Sequence, residues 1–585
     1  MKSYVLKPFA SFSIKLLDKK RFTILTCRIF LIWSLAAIAV HKVPSLLPTD
    51  FPADALTGFI LFMPIALLMI VLLWNKTPSK TGLKPTYGLV SIGSLLIVHS
   101  VAPWGFRQFG SYDLSLLVDL TWRYSQGQEP GRDFPATLPT IFMAIARVST
   151  ALGSTGWARL VTLTVLITAA LALLTCYLAN QIRIHRQSIL ILMVIGSIVP
   201  WISTTHLWHS SITAQVSATT LLAAVVIIRR PSCLNAILLG ALMGVTALSK
   251  QNVGWFVLVG IVLLLLIFRP TKAHTALIFW GGLTFGLLIM LIAKVDLVYP
   301  VESALKLLAE RDRGSMVMPP GTTDLNGIFV LFIPWVVGPL VLITAVLLAL
   351  LVSESSMSLL KKPESLFAGL AIASWLGGVY SNWDAHWNEF PIICVGIVLL
   401  LKQSDVARSS VNKDKILDFA AIFLSVILLS ASLSVGASRV RMRYVGPLFE
   451  QGSLQVIEKG FLRGVEVGPA GISVVEADSV LMSKYCGSDS NLLTGPRLEF
   501  LYAQWAIASP RGLPLWWHPG SSYSVRRDLP GILKSIDNMR PVKFITLGDD
   551  MTRLPIELVN ELNATPILAT VGPLNIRCLN AKPLG

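Results

Sequence analysis

The feature that most limits what this chain can fold into is a succession of apolar runs near the length of a membrane span. A helix needs about 20 apolar residues to cross hydrocarbon, and several runs are shorter, so one or two pairs are compatible with re-entrant segments. The sequence predicts a polytopic α-helical membrane protein with about 13 transmembrane helices. The thirteen runs lie at 22–41, 55–74, 87–103, 158–179, 188–203, 211–228, 233–248, 253–268, 274–293, 328–352, 365–380, 390–401 and 416–436.

Composition supports a membrane protein and argues against a nucleic-acid partner. Of the 585 residues, 54% are hydrophobic and 14% are charged, whereas a soluble domain carries about 25% charged residues. The net charge is +17, but the basic residues lie in short loops between apolar runs. No basic cluster is interleaved with aromatic residues, as a nucleic-acid surface would require. We therefore expect membrane lipid, and no nucleic acid, as a partner.

The distribution of Lys and Arg predicts an orientation. With the N-terminus in the cytoplasm, every inside loop carries at least two basic residues, as at Arg183 and Arg186 or at Arg229 and Arg230. The outside loops 204–210 and 381–389 carry none. This bias follows the positive-inside rule, and an odd number of spans places the C-terminus outside. The run that follows the basic N-terminus is too long for a signal peptide, so we expect it to be a retained span.

Residues 437–585 are less apolar than the rest and predict a small extracytoplasmic α/β domain, separate from the transmembrane domain of residues 1–436. Residues 471–477 and 542–547 have the pattern of strands. Residues 529–539 and 555–562 have the pattern of helices.

The cysteines of this domain, and its aromatic and arginine residues, each allow two interpretations. Cys486 and Cys578 either form a disulfide, if the domain faces an oxidising compartment, or stay free. The run Trp516-Trp517-His518 and the pair Arg526-Arg527 either bind glycan or form a packed aromatic core with surface arginines. No CxxC motif or His/Cys cluster with zinc-ligand spacing is present in the sequence.

The most informative outside segment is 111–140. From Leu116 onwards its apolar residues share one helical face, and Ser115, Asp119 and Gln126 lie opposite. We predict a helix in the plane of the membrane interface, ended by a turn at Gly127 and at Pro130-Gly131, followed by a second amphipathic helix from Leu138 to Leu152. Asp113 then begins the first helix, and Asp133 lies just past its end. A carboxylate there has two interpretations, a general base or a helix cap in a solvated loop.

The pattern of Asp113, a helix, and then Gly127-x-x-Pro130-x-x-Asp133-Phe134 resembles the GT-C class of membrane glycosyltransferases. This class includes the protein O-mannosyltransferases and the lipid A aminoarabinose transferases. Two further stretches, 247–254 and 382–389, are similar to a Lys-Gln-x-x-Gly turn and a late outside loop of the class. The resemblance implies a GT-C-like fold over residues 1–436.

The resemblance also implies a donor and a catalytic residue. The class uses polyprenyl-phosphate-linked sugars, and the first acid of its catalytic loop is the catalytic one, which corresponds to Asp113. The sequence departs from the pattern in two ways: two more spans precede the loop, and Asp113 is followed by Leu114 where many members have a second acid. Asp119 and Asp133 therefore remain alternative bases.

Other polar residues of the predicted outer face are candidates for binding substrate. Lys250 either holds the donor phosphate or is a helix-end lysine whose side chain extends to the interface. The basic cluster at 306–313 either binds phosphate or forms a solvated helix face.

A divalent cation, Mg²⁺ or Mn²⁺, is left open, since some members of the class use one and no ligand spacing here demands it. The predicted substrate-binding residues are Asp119, Arg132, Asp133, Lys250, Arg311, Arg313, Asp384 and His386.

These observations lead to one main functional hypothesis. The chain is predicted to be a hexosyl- or pentosyltransferase of the cell envelope, located in a bacterial inner membrane. It would move a sugar from a polyprenyl-phosphate carrier to a lipid, glycan or protein acceptor at the periplasmic face, by an inverting, base-assisted displacement. The alternatives are a transporter or flippase of lipid-linked sugars, which the absence of matching halves disfavours, and a non-catalytic accessory subunit.

Overall fold

The structure is a computed structural model of the chain. It describes residues 35, 62–70, 109, 114–136, 138–151, 156–182, 192, 209–310, 362–381, 390–406, 418–430, 433, 455–477, 485–486, 490–519 and 522–580. The predicted spans at 87–103 and 328–352 lie outside these residues, and those at 22–41 and 188–203 are described at one position each.

Helices account for almost all of the described chain before residue 437. Residues 62–70 and 418–430, inside two further predicted spans, are also helical. The other helices are α1 (Leu114–Ser125), α2 (Thr140–Ala151), α3 (Trp157–Gln181), α4 (His209–Arg229), α5 (Cys233–Ala247), α6 (Gln251–Phe268), α7 (Lys272–Ala293), α8 (Tyr299–Glu310), α9 (Pro363–Ser381) and α10 (Phe390–Val406).

Seven predicted spans coincide with helices, α3 to α7 together with α9 and α10. Within the described residues, Ser211–Arg229 and Lys272–Ala293 are long and apolar enough to cross a membrane. Helix α4 is mostly buried in the bundle, whereas α7 exposes large apolar side chains, among them Phe279, Trp280 and Leu291. An exposed apolar stripe of this length indicates a surface that faces lipid. The total of 13 spans stays a prediction.

Contacts between charged residues define one end of the bundle. Glu364, at the start of α9, accepts a hydrogen bond of 2.8 Å from Arg229 Nε at the end of α4. It also accepts one of 3.1 Å from Lys402 Nζ on α10. Both basic residues belong to loops that the sequence assigns to the inside. The segments assigned to the outside lie at the opposite end of α4, about 30 Å away along a helix of 21 residues. Which end faces the cytoplasm stays a prediction.

The C-terminal domain is an α/β domain, as predicted. Strands β3 (Asn491–Thr494), β4 (Val542–Leu547), β6 (Leu574–Leu579) and β5 (Ala569–Val571) form a sheet in this order, and β1 (Gln455–Val456) pairs with β2 (Glu466–Val467). Strands β3 and β4 are parallel, and the other pairs of the sheet are antiparallel. The helices are α11 (Pro469–Val475), α12 (Phe500–Gln504), α13 (Leu529–Asn538) and α14 (Ile556–Ala564). A disulfide joins Cys486 to Cys578, with the Cα atoms 5.5 Å apart.

The prediction of a strand at 471–477 is wrong, because Pro469–Val475 is helix α11. Gly468 is its N-cap and Pro469 occupies the first turn, a position where the fixed φ of proline favours a helix. The β-branched residues favoured a strand, but Val474 and Val475 are buried in the core from the helix. Tertiary packing therefore outweighs their intrinsic preference. The predictions of strand 542–547 and of both helices are confirmed by β4, α13 and α14.

Helices α5 and α7 approach so closely that only glycine fits between them. A Cβ on Gly240 would lie 2.3 Å from the carbonyl oxygen of Ile278, and one on Gly244 would lie 2.4 Å from that of Gly282. Glycines four residues apart allow this approach between membrane helices. A Cβ on Gly286 of α7 would meet nothing within 4 Å, so the requirement for glycine does not extend to this position.

We predict that Gly244→Ala destabilises the protein by about 1–3 kcal/mol, the usual cost of overpacking. The matched control Gly286→Ala should change stability by less than about 1 kcal/mol, because its methyl group enters open space. Thermal unfolding in detergent, followed by fluorescence-detected size-exclusion chromatography, measures both. Equal midpoints for the two variants would contradict the close approach of α5 and α7.

Candidate functional site

Helix α1 lies between the bundle and the C-terminal domain and is buried on all sides. It packs against α2 on one side and against α12 on the other. Its apolar face contributes Leu116, Leu117 and Leu120 to the core, and Tyr124 Oη donates a 2.6 Å hydrogen bond to the carbonyl of Ala293. The sequence predicted a helix between Asp113 and Gly127, but its polar face is not exposed as an interfacial helix requires. The C-terminal domain covers it.

Ser115 is the first polar residue that this domain covers. Its hydroxyl donates to Glu499 Oε2 at 2.8 Å and accepts from the backbone N–H of Phe500 at 2.9 Å. Glu499 also accepts a long hydrogen bond of 3.4 Å from the backbone of Trp517. Burial raises the pKa of the Glu499 carboxyl to about 7, and the nearby Asp119 adds to the increase. Sequence reasoning missed Glu499, although an isolated acid beside the apolar stretch 500–503 was a usable signal.

Asp119, a predicted substrate-binding residue, is a fully buried partner in an ion pair. Its Oδ2 accepts from Arg123 Nε at 2.7 Å, and its Oδ1 accepts from the Ser509 hydroxyl at 2.6 Å. Arg123 also donates to the carbonyl of Pro510 at 2.9 Å. Burial raises the pKa of Asp119, and the charge of Arg123 opposes that effect. This arrangement favours a structural role, since contact with a substrate would require residues 509–510 to move away.

The turn after α1 has the predicted form, with Gly127 at φ +76° and Gly131 at φ +79°. Asp133 closes it, because its Oδ2 accepts from the backbone N–H of Glu129 at 2.8 Å. Arg132 lies 3.2 Å from the same carboxylate and Arg511 lies 3.5 Å from it. Desolvation raises the pKa of Asp133, but these three donors together hold it below its usual value. Asp133 thus stabilises the turn as an ionised carboxylate, and Arg132 is largely exposed beside it.

Lys250 lies at the turn between α5 and α6, at the end of the bundle opposite Glu364. Its backbone N–H donates to Thr213 Oγ1 at 3.0 Å, and its side chain is half-buried. At the start of this turn, the carbonyl of Leu248 accepts a hydrogen bond of 3.1 Å from the backbone N–H of Ile141. The 247–254 stretch therefore contacts the start of α2, directly after the 126–136 turn.

Helix α8 joins the same end of the molecule. Tyr299 Oη donates to the carbonyl of Ala136 at 3.0 Å, and Glu302 lies 2.6 Å from Arg527 of the C-terminal domain. Lys294, just before α8, pairs with Glu129 at 2.8 Å. The predicted outside segments that are described thus form one assembly around α1. Five predicted site residues lie outside the described residues: Asp113, Arg311, Arg313, Asp384 and His386.

Metal binding finds no support in the part of the chain that the structure describes. Among these residues, no group of three or more His, Cys, Asp or Glu side chains is placed to hold an ion. The acids discussed above have Arg, Lys, Ser or backbone partners instead. Asp384 and His386 fall outside the described ranges, so the divalent cation stays a prediction.

The described fold defines a helical membrane protein with a disulfide-bonded α/β domain over one end of its bundle. No protein-family profile and no curated protein matches the sequence. The solved structures that match part of the chain include two of ArnT from Cupriavidus metallidurans. The one bound to undecaprenyl phosphate is 10% identical and the apo one is 12% identical. Each match covers 84% of this chain and 97% of the other, with a TM-score of 0.45.

We predict that the folded protein loses stability as the pH rises, because the buried Glu499 carboxyl must then ionise away from water. The pKa of Glu499 is raised from 4.5 to about 7 on folding, so its contribution is complete below pH 4.5 and is lost as the pH rises through 7. The difference corresponds to roughly 3 kcal/mol at most. Thermal unfolding between pH 5 and 8 should show Glu499→Gln gaining stability relative to the parent protein as the pH rises.

The exposed Glu557 of α14 provides the matched control. Glu557→Gln should track the parent protein at every pH. If Glu499→Gln also tracked it, the buried carboxyl would not be neutral in the folded protein.

Proposed function

We propose that this chain is a glycosyltransferase that takes a sugar from a polyprenyl-phosphate carrier and transfers it to an acceptor at the extracytoplasmic face of a bacterial inner membrane. One observation carries the proposal. Two stretches with family resemblance, 113–134 and 247–254, are far apart in sequence, yet the backbone N–H of Ile141, seven residues after the first stretch, donates to the carbonyl of Leu248 in the second. Catalytic groups must gather within reach of one substrate, and this contact brings the two stretches to the same end of the bundle.

In this proposal Asp113 is the general base. It removes a proton from the acceptor hydroxyl or amine while the acceptor attacks the anomeric carbon of the donor sugar. The bond between that carbon and the phosphate oxygen breaks, and the configuration inverts. Asp113 comes two residues before Ser115, so the chain length keeps their Cα atoms within about 7 Å. The start of α1, which follows Asp113 directly in the sequence, is held through Ser115 and Glu499, and catalytic groups act best when their support is rigid.

The leaving group is a polyprenyl phosphate, which needs a cation. Lys250 is suited to this because a half-buried ammonium group binds phosphate as a point charge. The turn that carries it is held to Thr213 and to α2. Arg311 and Arg313 are further candidates for the same phosphate, and the acceptor is a lipid, a glycan or a protein.

We predict that Asp113→Asn lowers kcat by about 10²–10⁴-fold, the usual contribution of a general base. Transfer from a radiolabelled polyprenyl-phosphate sugar to membrane acceptors measures it, in membranes adjusted to equal protein. Asp296→Asn is the matched control, because this acid is exposed at the same end of the bundle and has no proposed role. Full transfer by Asp113→Asn would remove the base assignment.

Lys250→Ala should raise the KM for the lipid-linked donor at least tenfold, since it removes a charge that binds the phosphate. Lys250→Arg should recover part of the loss. The exposed Lys272 begins α7 at the other end of the bundle, so Lys272→Ala should leave the KM unchanged. An unchanged KM for Lys250→Ala would assign the donor phosphate to other residues.

A further inference from the structure

Helices α5 and α7 run in the same direction and begin side by side. Their close contacts each join residues 38 positions apart, 240 to 278 and 244 to 282. The same spacing places Cys233, the first residue of α5, beside Thr271, the N-cap of α7. Arg229, four residues before Cys233, binds Glu364. The two helices therefore start together at the Glu364 end of the bundle, away from Lys250.

This end of the bundle carries more basic than acidic residues. Neither α5 nor α7 has an acid in its first turn. One acid, Glu364, already has Arg229 and Lys402 as partners. The six basic residues in the described segments at this end therefore exceed the three acids, which favours an anion as a partner. The basic residues are Arg229, Arg230, Arg269, Lys272, Lys362 and Lys402, and the acids are Glu364, Asp405 and Asp418.

Two of these arginines are fixed at the starts of α5 and α7, and we call Arg230 and Arg269 the arginine pair. The backbone N–H of Arg230 donates to the carbonyl of Val226 at 2.7 Å, and that of Arg269 donates to the carbonyl of Leu265 at 2.8 Å. The guanidinium group of Arg230 donates to the neutral Gln181 at 3.0 Å, and Arg269 is exposed. Axes of packed helices are about 8–10 Å apart, so two arginines of this length can reach one phosphate group.

An apolar groove extends from the arginine pair along the line where α5 and α7 meet. Gly281 forms its floor, because a Cβ there would lie 3.0 Å from the carbonyl oxygen of Ile237. Leu234 and Ile237 border it on α5. Phe285 and Leu288 continue the side of α7 that carries Gly281, at spacings of four and three residues. These four apolar side chains are exposed, and we call them, with Gly281, the α5–α7 groove.

The groove has the dimensions of a lipid chain. From the start of α7 to Leu288 it extends about 24 Å along the helix axis, whereas one leaflet of hydrocarbon is about 15 Å thick. Lys272 is not part of it. This lysine precedes Gly281 by two and a half helical turns, so the two residues lie on opposite sides of α7.

Charge favours a lipid over a second copy of the chain as the occupant. Copies in one membrane share an orientation, so a symmetric contact through the groove would bring the two arginine pairs together. Like charges that meet across an interface are unfavourable. A phospholipid instead offers acyl chains to the groove and a phosphate to the arginines, and basic sites between membrane helices are known to select anionic headgroups.

We propose that the α5–α7 groove and the arginine pair bind one molecule of an anionic phospholipid. Its acyl chains would lie along Leu234, Ile237 and Phe285, and its phosphate would accept from the guanidinium groups, whose planar donors suit phosphate oxygens. This site goes beyond the proposed function. The phosphate of the sugar donor is assigned to Lys250, which lies beyond the other end of α5, a helix of 15 residues and about 22 Å.

Native mass spectrometry of the full-length protein in detergent tests the proposal. The probes are phosphatidylglycerol, phosphatidylcholine with the same acyl chains, and glycerol 1-phosphate, which has the phosphate without the chains. We expect one phosphatidylglycerol per protein to bind with saturation, at least tenfold more tightly than either of the other probes. Each Lys or Arg near an anionic membrane surface contributes about fivefold to affinity.

The double variant Arg230→Gln with Arg269→Gln should therefore weaken phosphatidylglycerol binding at least tenfold and leave phosphatidylcholine binding unchanged. The matched control is Lys459→Gln with Arg526→Gln, which removes the same charge from exposed positions of the C-terminal domain and should change binding less than twofold. Thermal unfolding verifies that each protein is folded. If the double variant unfolds, Arg269→Gln alone decides, because that side chain is exposed, and it should weaken binding at least threefold.

Binding of phosphatidylglycerol that the arginine variants weaken and the control does not supports the proposal. Equal affinity for the two lipids, equal affinity for glycerol 1-phosphate, or an equal effect of the control variant overturns it. A dimer of the chain that excludes the lipid also overturns it, since a second copy would then occupy the groove. Lys250→Ala should leave phosphatidylglycerol binding unchanged, and a loss of binding in this variant would move the lipid to the other end of α5.

Discussion

The burial of the polar face of α1 is the interaction on which the rest of the structure depends. Ser115, Asp119 and Arg123 are almost completely buried, and buried polar groups are costly unless they are paired. The partners come from the C-terminal domain: Glu499, Ser509 and the carbonyl of Pro510. Removing this domain would take away the partners that these buried groups have in the folded protein. The bundle and the domain are therefore energetically one unit at this end, although the sequence divides into two regions.

The same constraint explains why so many segments distant in sequence converge at this end of the bundle. Because α1 is enclosed, the turn after it must also fit between bundle and domain, where Asp133 accepts from Glu129 and lies beside Arg511. Glu129 in turn binds Lys294, next to α8. Each link is a polar contact between segments that are distant in sequence. Hydrophobic packing forms the bundle, but this polar network specifies how the outer loops are arranged upon it.

Sequence patterns predicted the elements better than their surroundings. Helix α1 and seven spans followed from hydrophobic periodicity, and the turn after α1 followed from its glycines, because these are local properties of the sequence. The polar face of α1 was assigned to water, since no local signal indicates that a distant segment will cover it. Residues 471–477 were assigned to a strand, because propensity does not include the packing of Val474 and Val475. Glu499 was overlooked although an acid beside an apolar stretch was a local signal, because its partner Ser115 is 384 positions away.

These contacts also bear on which acid of the 113–133 loop serves as base. A base must reach a proton on the substrate and must be able to accept it. Both oxygens of Asp119 are occupied in the interior, by Arg123 and Ser509. Asp133 is held ionised by the backbone of Glu129 and by two arginines, which lower its pKa and so weaken it as a base. Asp119 and Asp133 thus have sufficient structural reasons for their positions. The resemblance points to Asp113, and the structure offers no competing reason to prefer either of the other two acids.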